Sequence, residues 1–360
     1  YKLNVVIKVL SIFIVIIWAL WGEMEVSGDH DFLSFLDLLC VIMFIVFLKE
    51  LKILEQSILS VRGLRKSFNA TEVVKGISFD VSPGEIFGIV GPNGAGKTTA
   101  IRMIMGVLNP DQGDVHFQLN GTSNHLDKRK LGYLPEERGL YEDVKVIKTL
   151  IYLGELKGVP TLEAKRRALE WLEIMKLSEY AEVKLEKLSK GMQQKVQFIA
   201  AVLHRPPLIL LDEPFSGLDP VNQDFFKELI IKLKDEGIAV LLSAHQMNLV
   251  EELCTRILVI NKGEKVLYGT VQDIKDDYHE YSISIDYNQG PDLNRLLSSK
   301  KEVRKLQMTN DKADFRISSA VEINDFIKEL TSHCNLERIS VQKTSLHEIF
   351  INTVGERGDE

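Results

Sequence analysis

The chain has 360 residues, of which 45% are hydrophobic and 26% charged, and its formal net charge is -7 at pH 7. This length suffices for two domains, and the composition is that of a globular protein. The acidic balance offers no general attraction for DNA or RNA, and Cys40, Cys254 and Cys334 lie too far apart for a zinc site.

Two apolar segments, residues 3–21 and 32–48, begin the chain. A membrane-spanning helix needs about 20 such residues, so the first segment is long enough and the second slightly short. The loop between them is acidic and lysines flank them, which predicts a hairpin with both ends in the cytoplasm. The alternative is that residues 1–53 are translated sequence upstream of a natural start near Leu54, since the chain begins with Tyr1.

Residues 54–272 alternate short apolar runs with helical stretches, as in an α/β domain. The continuous apolar runs at 86–90, 208–211 and 238–242 suit strands of a parallel sheet that is covered on both faces. Residues from about 141 to 190 are charged and rich in helix formers. This segment predicts a helical subdomain inserted into the α/β domain.

A phosphate-binding loop follows the strand at residues 86–90 and comes before a predicted helix at 99–107. The order strand, glycine-rich loop and helix is the context that the motif G-x-x-x-x-G-K-[ST] requires. Its backbone N–H groups and the helix N-terminus hold phosphates, Lys97 reaches the β- and γ-phosphates of ATP, and the Thr98 hydroxyl binds Mg²⁺. The predicted nucleotide-binding residues here are Gly91, Pro92, Asn93, Gly94, Ala95, Gly96, Lys97, Thr98 and Thr99.

Two carboxylates, Asp212 and Glu213, end the apolar run at 208–211. Ligands of parallel sheets bind at this edge of the strands. We therefore expect Asp212 to hold Mg²⁺ and Glu213 to orient or deprotonate the attacking water. The alternative is a pair of solvated loop acids.

The segment LSKGMQQK, residues 188–195, lies ahead of this strand and opens a helix with an apolar stripe. Ser189 and Gly191 therefore lie at a helix N-terminus, where Ser189 caps the helix and anions bind. Together these motifs resemble the nucleotide-binding subunits of ABC transporters across roughly residues 58–270. Lys190 and Met192 depart from the LSGGQ signature of that family.

The resemblance implies a RecA-like P-loop cassette that pairs with a second copy, so that Ser189 and Gly191 face ATP bound by the other subunit. It also implies roles for three further residues. His245 would contact the γ-phosphate, Phe68 would stack on adenine, and Glu136 would replace the usual Mg²⁺-proximal glutamine. For Phe68 a place in the core, and for Glu136 an ordinary loop position, are the alternatives.

Residues 273–360 change character and predict a small α+β domain with a βαββαβ-like order and a terminal helix. This appendage, the string GYLPEERGLY at 132–141 and the variant signature resemble the drug- and sodium-exporting ABC-2 branch. The resemblance implies an ATPase on the cytoplasmic face of the membrane that powers integral permease subunits. The cargo does not follow from the cassette.

A soluble ABC ATPase acting on ribosomes or DNA is the main rival interpretation. Ribosome-acting members join two cassettes by a charged linker, and DNA-repair members insert coiled coils or zinc modules. The sequence contains one cassette and neither insertion. A second rival interpretation is that the N-terminal hairpin is a functional membrane portion of the same chain, although two spans are too few for a translocation path.

Overall fold

The computed structural model describes residues 57–356 except 120–121, 124–126, 138, 289–292 and 319–320. The two apolar segments and the question of a membrane hairpin thus lie outside the described residues. Within the described ranges, no helix has the length and apolar character needed to cross a membrane. We call residues 57–277 the cassette region and residues 280–356 the C-terminal region.

The cassette region contains ten strands and seven helices of the described chain. The strands are β1 (Leu59–Phe68), β2 (Thr71–Val81), β3 (Ile86–Val90), β4 (Gln112–Leu119), β5 (Thr122–Ser123), β6 (Leu131–Leu134), β7 (Leu208–Asp212), β8 (Ala239–Ala244), β9 (Arg256–Asn261) and β10 (Glu264–Thr270). The helices are α1 (Lys97–Ile104), α2 (Val146–Leu156), α3 (Thr161–Ile174), α4 (Lys190–Val202), α5 (Pro220–Asp235), α6 (Met247–Leu253) and α7 (Val271–Asp277).

A six-stranded sheet with the order β10-β9-β3-β8-β7-β6 forms the centre of the cassette region. Its inner strands are parallel, and only β10 runs antiparallel to its neighbour. Every residue of β3, β7 and β8 is buried, as expected for strands covered on both faces. This sheet brings the carboxyl ends of β3, β7 and β8 to one edge.

A second, antiparallel sheet with the order β2-β1-β4-β5 covers one face of the central sheet. Its alternating apolar side chains share a core cluster with α1 and with β3. The rings of Phe79 on β2 and Phe87 on β3 stack with centroids 5.0 Å apart. The phosphate-binding helix α1 is thereby held between two sheets.

Helices α2 and α3 lie in the predicted helical subdomain. Ala164, Ala168 and Leu172, spaced four residues apart on α3, are buried. The exposed face of the same helix carries ion pairs from Arg166 to Glu163 and Glu170. The spacing of apolar residues in the sequence is therefore sufficient to predict which face of α3 packs against the core.

The C-terminal region contains β11 (Glu280–Asn288), α8 (Leu293–Ser299), β12 (Val303–Met308), β13 (Lys312–Ser318), α9 (Ile323–His333), β14 (Asn335–Lys343) and α10 (Leu346–Glu356). This order agrees with the predicted one. The strands form an antiparallel sheet, β12-β13-β11-β14. Ile283, Ile285 and Tyr287 alternate on the buried face of β11.

The last helix, α10, returns to the cassette region. Leu346, Ile349 and Phe350 are buried in the same core cluster as Val250 on α6. Glu251 on α6 adds a polar contact, because its Oε2 accepts a hydrogen bond of 2.9 Å from the Leu346 backbone N–H. The C-terminal region is therefore packed into the main core by its final helix.

Cys254 and Cys334 are buried free thiols, and Cys40 lies outside the described residues. Burial raises the pKa of the Cys254 thiol well above its ordinary range. This residue is consequently an inert part of the core.

Candidate functional site

The loop between β3 and α1 has the geometry of a phosphate cradle. Gly96 forms the N-cap of α1 with a φ of +106°, a left-handed conformation that favours glycine. A Cβ at Gly96 would also lie 2.7 Å from the backbone oxygen of Val73. Both constraints explain why the motif requires glycine directly before Lys97.

A cavity of about 230 Å³ lies in front of this loop. Most of the residues that line it were predicted from three separate sequence motifs. Val73 on β2 also contributes to the lining and was not predicted. The lining residues are Val73, Asn93, Gly94, Gly96, Lys97, Thr98, Thr99, Glu136 and Glu213. The fold thus places the phosphate loop, the Glu136 loop and the end of β7 around one space.

Lys97 is a buried cation in the wall of the cavity. Its Nζ lies 2.9 Å from the Gly91 oxygen, 3.2 Å from the Pro92 oxygen and 3.2 Å from Glu213 Oε1. The ammonium group therefore neutralises the Glu213 carboxylate while facing the space that phosphates would enter.

The two carboxylate oxygens of Asp212 differ in their hydrogen bonding to the described residues. Its Oδ1 accepts hydrogen bonds from Ser243 Oγ at 2.6 Å and Thr98 Oγ1 at 3.3 Å. Oδ2 is buried and has no hydrogen-bond partner among the described residues. Burial raises the pKa of Asp212, and the Ser243 hydrogen bond partly offsets that rise. A buried carboxylate with an unpartnered oxygen beside the Thr98 hydroxyl fits a hard cation such as Mg²⁺.

Glu213 is held in an uncommon backbone conformation, with a φ of +50°. This left-handed geometry costs a non-glycine residue roughly 1–2 kcal/mol. The Glu213 backbone N–H donates to Ser243 Oγ at 2.9 Å, and Oε2 lies 2.8 Å from His245 Nδ1. The carboxylate consequently bridges Lys97 and His245 at the cavity wall.

Ser243 was not predicted from the sequence, yet it contacts both acidic residues. It lies opposite Asp212 in the parallel register of β7 and β8 and is completely buried. A single hydroxyl near the end of an otherwise apolar strand, two residues before His245, is the signal that could have identified it.

Ser189 caps α4 as predicted, because its Oγ accepts a hydrogen bond of 3.3 Å from the Met192 backbone N–H. Ser189 and Gly191 are not among the described residues that line the cavity, and Ser189 is exposed. Phe68 at the end of β1 is 46% exposed, with Lys66 Nζ 5.8 Å from its ring centre. The alternative of a core position for Phe68 is therefore wrong.

Comparison with known proteins identifies the class. The ABC transporter family model matches residues 74–216, and the model for the C-terminal domain of ATP-binding proteins like DrrA1-3 matches residues 269–354. The uncharacterized ABC transporter ATP-binding protein YhaQ of Bacillus subtilis is 39% identical over 82% of this chain and 98% of its own length. The linearmycin resistance ATP-binding protein LnrL of the same organism is 33% identical, with the same two coverages of 82% and 98%.

A solved structure of an ATP-binding subunit of an ABC transporter has a TM-score of 0.57 and 32% identity, covering 62% of this chain and 93% of its own. The chain therefore belongs to the family of ABC transporter ATP-binding proteins, and it carries a DrrA-like C-terminal domain. Its activity is ATP hydrolysis coupled to transport. Proteins of this family bind nucleotide, pair with a second cassette and act with membrane permease subunits.

Proposed function

We propose that this chain powers an ABC-2 type exporter from the cytoplasmic face of the membrane, through closure of two copies over ATP. Its DrrA-like C-terminal domain supports this branch. So does its similarity to a protein named for resistance to linearmycin. The cargo class is a drug-like small molecule or Na⁺, and the permease subunits select it.

The observation that carries the proposal is the position of Glu213 between Lys97 and His245 at the wall of the phosphate cavity. Its carboxylate orients a water for attack on the γ-phosphate and accepts a proton from it. Lys97 binds the β- and γ-phosphate oxygens, and His245 donates a hydrogen bond to the γ-phosphate.

Thr98 and Asp212 hold Mg²⁺, with Glu136 nearby on the cavity wall. When bound, Mg²⁺ neutralises charge on the β- and γ-phosphates. No described group of three or more histidine, cysteine, aspartate or glutamate residues forms a metal cage. This fits a cation bound mainly through one carboxylate, one hydroxyl, water and substrate phosphates.

The second cassette supplies Ser189 and Gly191 to the ATP of the first. These residues lie at the N-terminus of α4, where backbone N–H groups and the helix dipole favour an anion. The exposure of Ser189 leaves that end of the helix accessible to a partner. Phe68 stacks on the adenine, since its ring is exposed at the end of β1.

Substitution of Glu213 by glutamine tests the proposal directly. We expect ATP hydrolysis to fall by about 10²–10³-fold, as for loss of a general base, while ATP binding persists. The variant should accumulate as an ATP-bound pair in size-exclusion chromatography. Glu228→Gln, an exposed change on α5, serves as the control and should behave as the native chain.

Native turnover by the Glu213→Gln protein would contradict the assigned role. Purification from membranes tests the transport partner, because an integral membrane protein should copurify with the native chain. Recovery with ribosomes instead would favour the rival interpretation.

A further inference from the structure

Gln194 on the signature helix α4 contacts the backbone directly after Glu213. Its side chain is 8% exposed, and its Nε2 donates a hydrogen bond of 2.7 Å to the Pro214 carbonyl oxygen. Pro214 has no backbone N–H, so its carbonyl is the only backbone group through which a hydrogen bond can hold this residue. Gln194 makes that bond.

The Glu213 backbone is therefore fixed from both sides. Ser243 Oγ accepts from the Glu213 N–H at 2.9 Å, and Gln194 holds the carbonyl oxygen of the following residue, Pro214. A left-handed conformation at a non-glycine residue persists only where the surroundings over-determine it. These two contacts, together with the 3.1 Å hydrogen bond from the Ser216 N–H to the Glu213 carbonyl oxygen, provide that restraint at Glu213, whose φ is +50°.

The hydrogen bonding of Gln194 indicates that its side-chain N–H donor, rather than its packing, is required at this position. Its Oε1 is buried and has no hydrogen-bond partner in the described part of the chain. An unpaired buried acceptor is unfavourable compared with an apolar side chain of the same shape. A residue kept for packing alone would not carry that penalty.

We propose that Gln194 is a positioning residue that holds the Glu213 carboxylate in its hydrolytic position and links it to the signature helix. Ser189 caps the same helix five residues earlier, so the Gln194 amide can pass a displacement of α4 to the catalytic loop. The inference depends on the proposed catalytic role of Glu213.

The test compares two methionine substitutions on α4 in the full-length chain. Gln194→Met removes the donor to Pro214 and keeps the length of the side chain. Gln193→Met is the matched control, because Gln193 donates to the carbonyls of Leu185 and Leu188 and not to the catalytic loop. We expect Gln194→Met to lower kcat by at least about 10-fold, with KM for ATP within about twofold of the native value.

Formation of the ATP-bound pair distinguishes a positioning role of Gln194 from damage to the signature segment that begins α4. In a Glu213→Gln background, Gln194→Met should still form the ATP-bound pair. An unchanged kcat in Gln194→Met, an equal loss in Gln193→Met, or failure of the double variant to pair would each overturn the inference. If Gln194→Met does not fold, Gln194→Glu takes its place, since a carboxylate of the same shape cannot donate to Pro214 at pH 8, and the same losses are expected.

The Glu213→Gln protein distinguishes a failure of the role of Gln194 from a failure of the proposed function. If it is inactive and Gln194→Met turns over normally, only the role of Gln194 is contradicted. If Glu213→Gln itself turns over at the native rate, the proposed function fails first.

Discussion

Two glycines of the phosphate loop differ in what an added methyl group would meet. A Cβ at Gly91 would lie 2.1 Å from the backbone oxygen of Ile260 on β9, so two strands would have to separate. Among the described residues, a Cβ at Gly94 would have no neighbour within 4 Å, and the φ of +79° is what opposes substitution there. The same change should therefore have unequal effects at the two positions.

We expect Gly94→Ala to lower the free energy of unfolding by about 1 kcal/mol, the cost of left-handed backbone for an alanine. Gly91→Ala should lower it by roughly 3 kcal/mol or more, in the range of overpacked cores. Urea denaturation of both variants measures the difference. Equal losses of unfolding free energy would show that β3 and β9 can separate near Gly91 at little cost.

His204 is a half-buried histidine outside the ATP site. Its Nε2 lies 3.1 Å from the Leu131 oxygen, and its Nδ1 is buried with no hydrogen-bond partner among the described residues. Burial, and next the charge of Lys157, lower its pKa from 6.5 to about 4. The folded chain thus keeps this ring neutral where an unfolded chain would protonate it.

Stability should consequently fall as the pH drops from about 6.5 to about 4, because the unfolded chain binds the extra proton in that window. The contribution of His204 is at most about 3 kcal/mol. His204→Gln, which can still donate to the Leu131 oxygen, should show a smaller loss of unfolding free energy between pH 7 and pH 5. His347→Gln, at an exposed position, is the control and should retain the native slope.

Much of the site could be predicted at the level of residues, because phosphate loops and strand-terminal carboxylates have local sequence signatures. Lys97, Thr98, Glu136 and Glu213 do line one cavity. The contacts of Ser243 and Gln194 could not be predicted. They depend on which strand and helix lie beside β7, a relation that no local pattern encodes.

The elements were predicted best where apolar runs are continuous. Strand β3 occupies residues 86–90 as expected. Strand β1 has no such continuous run, because its second half is polar, and this half is stabilised by antiparallel pairing with β2. Helix α1 begins at Lys97, two residues before the predicted start, since Gly96 provides the N-cap.

Two substitutions at Ser189 can separate its contribution to the stability of α4 from its proposed role in ATP-dependent pairing. Ser189→Ala removes the hydrogen bond to Met192 and should cost about 1 kcal/mol of stability. Ser189→Asp preserves a good cap but places a negative charge where the partner's phosphates would bind. We expect Ser189→Asp to remain as stable as the native chain and to lose ATP-dependent pairing.

Each Ser189 substitution is introduced into the Glu213→Gln protein. Thermal unfolding then measures its stability, and size-exclusion chromatography measures its ATP-dependent pairing. A Ser189→Asp variant that still pairs on ATP would show that this end of α4 does not face phosphate.

At the scale of the whole molecule, the C-terminal region contributes to the core of the cassette region. Ile349 on α10 is 1% exposed in that core, whereas Ile351 on the same helix is 53% exposed. We expect Ile349→Ala to lower the unfolding free energy by about 2–4 kcal/mol and Ile351→Ala to change it little. Hydrogen exchange of α6 should speed up only in the first variant. Unchanged exchange there would mean that the two regions unfold independently.

The return of α10 to the core also has a consequence for synthesis of the protein. Leu346, Ile349 and Phe350 complete a cluster that otherwise draws on residues between 86 and 274. While the chain is still emerging from the ribosome, the nascent cassette keeps an apolar patch on α6 uncovered until residue 350 has left the exit tunnel. The apolar core of the cassette region is therefore completed by a segment made some 250 residues after the phosphate loop.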